Sequence, residues 1–278
     1  MYDPFAVDRL IDLWLTEDIG YCDLTVQTMI EPGEQGHFHM NAREPMTIAG
    51  IEIAARVFRR YEPRLEVGVS VKDGDAVKKG DVLLTVKGPA SGILTGERVA
   101  LNIVQHMSAI ATETARWVAL IAHTKARLID TRKTTPGLRM IEKHAVACGG
   151  GLNHRLGLDN GVMLKDNHIV VCGGISAAVA RAKKTLPTLT KIEVECDRLE
   201  QVDEAMAAGA DVIMLDNMSL DDMRTAVKRV AGKVPLEASG GIRFDTIVAI
   251  AETGVDYIST SKITQAAPAV DIGLDEAN

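Results

Sequence analysis

Apolar residues change their spacing twice along this chain, and each change marks a different kind of structure. Val7, Leu10, Ile11, Trp14 and Leu15 fall on one face at helical spacing. They predict a helix over residues 1–20 that ends at Glu17-Asp18-Ile19-Gly20. Asp23-Leu24-Thr25 then reads as a polar turn or helix cap. Residues 36–90 follow another rhythm. Short alternating or apolar runs at 37–41, 47–48, 65–71 and 81–86 are separated by the turn signals Lys72-Asp73-Gly74-Asp75, Lys79-Gly80-Asp81 and Gly88-Pro89. With one helix at about 51–61, this predicts a small mixed α/β domain built mainly of antiparallel hairpins. Residues 95–122 return to helical spacing, with Leu101, Val104, Met107 or Ser108, and Ala111 on the apolar face. Arg98 is expected at the start of that helix, where the dipole disfavours a cation. It either pairs in solvent with Glu97 or another carboxylate, or points at an anion.

From residue 126 apolar runs alternate with helical segments. The runs are 127–131, 162–165, 191–195, 211–216, 236–239 and 257–260, with helices such as 174–184, 199–208, 220–230 and 244–253 between them. The last three strands recur about every 22 residues, a tight β/α repeat. Parallel strands with right-handed helical crossovers form either an open doubly wound sheet or a closed barrel. The polar residues decide. Each run ends in a chemically usable group: Arg132-Lys133, Lys165-Asp166, Glu195, Asp216, Ser239-Gly240-Gly241 and Thr260-Ser261. A barrel brings all strand C-termini to one mouth, whereas an open sheet spreads them along an edge. The expected fold is therefore α/β: a β/α barrel, incomplete or irregular, with a smaller N-terminal mixed α/β domain. The division is expected at 1–105 and 106–265, with the tail from about 266 to 278 packing on the first domain.

Composition narrows this further. Only 4% of the 278 residues are aromatic while 46% are apolar, so the core must be Val, Ile, Leu, Ala and Met, which suits buried parallel strands. A net charge of -7 argues against nucleic acid as the main partner. There is no cationic start followed by an apolar stretch and no run long enough to span a bilayer, so a cytoplasmic location is expected. Cys22, Cys148, Cys172 and Cys196 form no C-x-x-C and no zinc spacing, which predicts ordinary reduced cysteines.

Against that acidic background, residues 129–168 stand out. They carry Arg132, Lys133, Arg139, Lys143, His154, Arg155 and Lys165, which marks a local anion site. Lys143 falls within a helix that follows Pro136 and is expected to face solvent or a structural carboxylate; Arg139 lies in the same helix. Arginine grips a carboxylate with two parallel hydrogen bonds, while lysine acts as a point charge. So many cations imply a substrate with several negative groups. Glu195 and Asp216 are the opposing carboxylates, suited to magnesium, sugar hydroxyls or a developing positive charge. Ser239-Gly240-Gly241 follows a late strand and precedes a helix, the usual phosphate seat of β/α barrels. The parts together describe a phosphorylated sugar, a polyanionic co-substrate and a divalent metal.

Two resemblances follow. The V-x-x-G-D-x-V-x-x-G-D-V-L-L pattern at 71–84 resembles lipoyl-type hammerhead modules, although no lysine stands alone at a hairpin tip to be lipoylated. The whole chain resembles the quinolinate phosphoribosyltransferase family. The matching motifs are D-T-R-K-T-T-P-G-L-R at 130–139, G-G-G-x-N-H-R-x-G-L at 149–158 and L-K-D-N-H at 164–168. I-E-V-E at 192–195, I-M-L-D-N-M at 213–218, E-A-S-G-G-I at 237–242 and G-E-R-x-A-L-N at 96–102 also match. The resemblance implies that quinolinate and phosphoribosyl pyrophosphate, with Mg2+, give nicotinate mononucleotide, pyrophosphate and carbon dioxide. It implies that Arg98, Arg132, His154, Arg155 and Lys165 hold the quinolinate carboxylates, with Thr131 beside them and Lys133 near the leaving pyrophosphate. Glu195 and Asp216 would hold ribose hydroxyls and metal. Ser239, Gly240 and Gly241 would hold the 5-phosphate, with the 260–262 turn, including Thr260 and Ser261, assisting. It also implies a homodimer in which Arg98 completes the neighbouring site. Ser261 and Gln265 stand where the family carries glycine and histidine, and Cys22 and Ala109 stand where glycine is common. A phosphoribosyltransferase for another dicarboxylate heterocycle, and a non-catalytic ligand-binding paralogue, are the alternatives.

Overall fold

The computed structural model describes residues 2–277, which divide into two compact units. One holds the chain up to Ala115, Met140–Gly150 and the tail from Ala267; the other holds Arg116–Arg139 and Gly151–Ala266. No described helix is long and apolar enough to cross a membrane.

The first unit opens with α1 (Pro4–Ile19). Asp3 caps it by accepting the Phe5 N–H, Pro4 occupies the first turn, and Val7, Ile11 and Leu15 are buried. A second short helix, α2 (Leu24–Met29), stands where a turn or cap was expected. Asp23 is indeed a cap, accepting the Val26 N–H, but the helix it starts has no buried residue and so left no apolar periodicity to read. Then come β1 (Gln35–Ala42), β2 (Met46–Thr47), α3 (Ile51–Tyr61), β3 (Glu66–Val69), β4 (Ala76–Val77) and β5 (Val82–Pro89). The strands pair antiparallel, β1 and β3 flanking β5, with β2 and β4 as a separate ribbon. α3 buries Ile51, Ile53, Val57 and Phe58, each side chain contributing roughly 1.5–3 kcal/mol.

The long helix α4 (Ala90–Ile121) begins five residues before the expected start. Gly92 and Gly96 lie inside it. A Cβ at Gly92 would run into Glu62, and one at Gly96 would crowd Phe58, so these glycines let the helix approach the end of α3 closely. Propensity alone reads them as breakers; packing overrides it.

The second unit contains β6 (Arg127–Ile129), β7 (Val162–Leu164), β8 (Ile192–Cys196), β9 (Val212–Asp216), β10 (Leu236–Ser239) and β11 (Tyr257–Ser259), all parallel. The sheet order is β6-β11-β10-β9-β8-β7. Consecutive strands are thus neighbours from β7 to β11, and the last strand returns to pair with the first. The barrel stays open between β6 and β7. There Leu152 lies beside β6, donating its N–H to Leu128 and accepting from Asp130. This is the irregular barrel the strand-end pattern predicted. Its crossovers are α6 (Asp166–Cys172) and α7 (Ile175–Thr185), then α8 (Leu199–Ala208), α9 (Leu220–Val230) and α10 (Ile247–Ala251), with α11 (Lys262–Gln265) after β11.

The connection between β6 and β7 holds α5 (Arg139–Cys148), and this departs from the expected division at residue 105. Residues 140–150 belong to the first unit, where His144 bonds Asp73 at 2.7 Å and His106 bonds Glu142 at 3.0 Å. Lys143 is buried at 2% exposure, which removes the solvent-facing one of its two expected placements, because α5 is buried on consecutive positions from Ile141 to Lys143. The chain ends with β12 (Ile272–Glu276), which returns to the first unit and extends its sheet by pairing antiparallel with β1.

Candidate active site

Side chains two residues apart on a strand share a face. In the second unit this places two layers inside the barrel. Lys165, Glu195, Asp216 and Ser239 form the layer at the strand C-termini; Met163, Glu193, Met214 and Glu237 lie one step below. The upper layer opens into a cavity of about 670 Å³, which Met163, Met214 and Glu237 also line from below. Its cationic side is Arg132, Lys133, Arg155 and Lys165, with Thr131 and His154; its acidic side is Glu195 and Asp216; Ser239, Gly240 and Gly241 close it. Lys165 Nζ meets Glu195 Oε2 at 3.0 Å, so the two sides are joined. Burial, and then the nearby charge of Arg132, pull the Arg155 guanidinium below its usual value. Two cations this close favour a ligand carrying more than one negative charge.

The glycine loop has a steric reason. Gly240 and Gly241 take φ of 85° and 61°, and a Cβ on Gly240 would collide with Asn217. Asn217, itself at φ 54°, donates from Nδ2 to Asp216 Oδ2 at 2.8 Å, and its main-chain N–H bonds Ser239 O at 2.9 Å. Gly240 therefore lets the loop sit against the residue that orients Asp216. Successive backbone N–H groups in such a turn can face an anion.

Beneath the mouth lies a cluster that sequence reasoning missed. His154 Nε2 is 2.8 Å from Glu193 Oε2 and 3.6 Å from Glu237 Oε2, and both glutamates are buried. Asp130, fully buried at the end of β6, accepts the His154 N–H and the Asn153 Nδ2, each at 2.8 Å. Burial, and then the Glu193 charge, push the Glu237 carboxyl well above the usual carboxylate range. Four buried polar atoms here have no partner among the described residues: Arg132 Nε, Glu193 Oε1, Glu237 Oε1 and Ser259 Oγ. A signal for these residues was present. Glu193 and Glu237 precede Glu195 and Ser239 by two, so strand parity alone puts them on the same inner face.

Three expected site residues are not brought to this cavity. Thr260 and Ser261 are turned into the 260–265 fold. Thr260 donates its N–H to Ile129 O, and Ser261 O accepts from Gln265 at the start of α11. Thr264 then bonds the Lys133 carbonyl at 2.9 Å, so this turn braces the Lys133 loop and Ser259 reaches the cavity in its place. Arg98 stands on α4 in the first unit. It is not at a helix start as expected, since α4 begins at Ala90. It is exposed and makes no hydrogen bond or salt bridge among the described residues, so of its two expected readings the pairing with Glu97 or another carboxylate is not seen. Arg139 also stays outside, bonding Thr134 Oγ1 at 3.1 Å and holding the loop after Arg132.

The cysteines carry no chemistry at this site. All four are free, and burial pushes the Cys148 and Cys196 thiols up to about 12, where they stay protonated. Glu195 and Asp216 offer two oxygen donors beside the glycine loop. That set fits Mg2+, which is held by one or two carboxylates plus substrate phosphates rather than by a protein cage.

Comparison with known proteins agrees with this geometry across both units. A family model for the quinolinate phosphoribosyl transferase N-terminal domain matches residues 23–108, and the model for its C-terminal domain matches 110–275. The chain is 45% identical over 271 residues to the probable nicotinate-nucleotide pyrophosphorylase (carboxylating) of Synechocystis sp., covering 96% of this chain and 92% of that one. It is 41% identical to the nicotinate-nucleotide pyrophosphorylase (carboxylating) of Mycobacterium leprae, covering 94% of each. The solved nicotinate-nucleotide pyrophosphorylase from Francisella tularensis superposes with a TM-score of 0.96 at 40% identity, covering 100% of this chain and 98% of that one. A barrel mouth with a cationic side, an acidic side and a glycine loop, and matches that run through both units, place the chain in the quinolinate phosphoribosyltransferase family.

Proposed function

We propose that this enzyme transfers the phosphoribosyl group of phosphoribosyl pyrophosphate to quinolinate and releases carbon dioxide, forming nicotinate mononucleotide for NAD biosynthesis. The observation that carries the reading is one cavity with cations on one side and Glu195 and Asp216 on the other, joined by the Lys165–Glu195 bridge. A dicarboxylate fits the first side and a ribose the second.

In this reading Arg132, Arg155 and Lys165 grip the quinolinate carboxylates. Ser239, Gly240 and Gly241 receive the 5-phosphate through main-chain N–H groups. Glu195 and Asp216 hold the ribose hydroxyls and, with the substrate phosphates, would hold Mg2+, which when bound would supply charge neutralisation for a pyrophosphate leaving group. Lys133 adds a second positive charge there. The pyridine nitrogen lone pair forms the bond to the anomeric carbon as the carbon–oxygen bond to pyrophosphate breaks. The ribosyl carbon is cationic in that transition state, and the two carboxylates face it. The ring nitrogen, now positive, stabilises the electron pair left at the adjacent carbon when the carboxylate leaves as carbon dioxide, and a proton takes its place.

Arg98 supports a homodimeric enzyme in this reading. It is an exposed cation that makes no hydrogen bond or salt bridge among the described residues, suited to a substrate carboxylate in a neighbouring subunit's site. A cytoplasmic location suits the substrates and the four free thiols. The test is to incubate the purified protein with Mg2+ and phosphoribosyl pyrophosphate, and with quinolinate, nicotinate or another pyridine dicarboxylate in separate arms. Product is expected with quinolinate alone. Equal turnover of a different dicarboxylate, or no product in any arm, would contradict the reading.

A further inference from the structure

The role implied for His154 was to touch a substrate carboxylate, yet both of its ring nitrogens are already engaged within the protein. Nε2 lies 2.8 Å from Glu193 Oε2, and Nδ1 accepts the main-chain N–H of Arg155 at 2.8 Å. A ring nitrogen that accepts an N–H carries no proton, so the proton of the neutral imidazole must be on Nε2, where a carboxylate accepts it. A doubly protonated ring would set one N–H against another at Arg155.

The surroundings enforce this orientation from three elements. β6 supplies the start: the buried Asp130 at its end holds the His154 main-chain N–H and the Asn153 side chain. β8 supplies Glu193. β10 supplies Glu237, whose carboxyl stands 3.6 Å behind the same ring nitrogen. Barrel interiors are ordinarily filled with apolar side chains, and a buried carboxylate without a hydrogen-bonded partner is costly. Two glutamates in that layer, facing one imidazole, form a polar cluster inside an apolar barrel wall. What the cluster fixes is the next residue. Arg155 donates from Nη1 to Gly161 O at 3.0 Å and lines the cavity. Its main chain is tied to the His154 ring and its side chain to the loop before β7.

We propose that Glu193 is a positioning residue that locks His154 as its Nε2–H tautomer, and that His154 in turn holds Arg155 in place for the dicarboxylate. The proposal deepens the function proposed above and rests on it for the identity of the substrate. The tautomer does not depend on it.

The experiment has two parts. The first is a long-range proton–nitrogen spectrum of protein labelled with 15N-histidine, without substrate. The protein has seven histidines, and the His154 signals are assigned by their loss in His154→Asn. The expected pattern is a protonated Nε2 and an acceptor-type Nδ1; a protonated Nδ1, or both nitrogens protonated at neutral pH, would overturn the proposal whatever the enzyme's activity. The second part uses Glu193→Leu and Glu193→Gln. In Glu193→Leu the His154 pattern should be lost, and the KM for quinolinate should rise roughly ten- to a hundredfold with little change in the KM for phosphoribosyl pyrophosphate. Glu193→Gln, whose amide oxygen can still accept the Nε2 proton, should recover part of both. A Glu193→Leu protein that loses the tautomer yet keeps its quinolinate KM would refute the link to Arg155. If Glu193→Leu does not fold, the Glu193→Gln protein and the wild-type spectrum still decide.

Discussion

The Arg132 guanidinium lines the cavity with a buried Nε that has no partner among the described residues. A buried donor left unbonded costs about 1–3 kcal/mol, and a bound carboxylate would satisfy it. Replacing Arg132 by Ala removes a charged grip worth about 2–5 kcal/mol, so quinolinate affinity should fall at least roughly thirtyfold while the melting temperature changes little. Titration calorimetry paired with a thermal melt checks both; unchanged affinity would refute the carboxylate clamp. At this scale the mouth was largely legible in the sequence. Arg132, Lys165, Glu195, Asp216 and Ser239 announce themselves because each ends an apolar run. Glu193 and Glu237 did not, because a carboxylate inside a strand looks like a solvent-facing position until the sheet is known to be buried on both faces. Their parity with Glu195 and Ser239 marks them as inward once the strands are read as a barrel.

The turn after β10 shows what a single element contributes. Gly240 sits at φ 85° against Asn217, and Asn217 orients Asp216. Gly240→Ala must strain the backbone and displace Asn217, and should cost about 1–3 kcal/mol of stability. It should also raise the KM for phosphoribosyl pyrophosphate more than that for quinolinate, because the proposed function assigns the glycine loop and Asp216 to the ribose phosphate. Chemical denaturation and steady-state kinetics on one preparation test this, and a change confined to quinolinate would contradict the assignment. Elements with long apolar periods were readable: α3, α8, α9 and β10 fall where the pattern puts them. The short helices α2, α6 and α11 were not, since neither α2 nor α6 buries a residue and α11 is a single turn. The start of α4 was hidden by Gly92 and Gly96, whose purpose is close packing and is visible only in three dimensions.

For the whole molecule, chain order and spatial grouping diverge. α5 and β12 follow barrel strands in sequence yet belong to the first unit, a long-range arrangement that local periodicity does not encode. Arg98 raises the same issue between chains. If it completes a neighbouring subunit's site, Arg98→Ala and Lys133→Ala proteins should each be inactive alone. After subunit exchange they should regain roughly a quarter of wild-type activity, because half the dimers are hybrids with one intact site. No recovery after exchange shown by mass spectrometry would remove Arg98 from a shared site. The reaction itself is tested most directly by quinolinate labelled with 13C in the carboxylate next to the ring nitrogen, supplied with Mg2+ and phosphoribosyl pyrophosphate. The predicted result is label released as carbon dioxide in a one-to-one ratio with unlabelled nicotinate mononucleotide. Label retained in a ribosylated product, or no ribosylated product at all, would contradict the account.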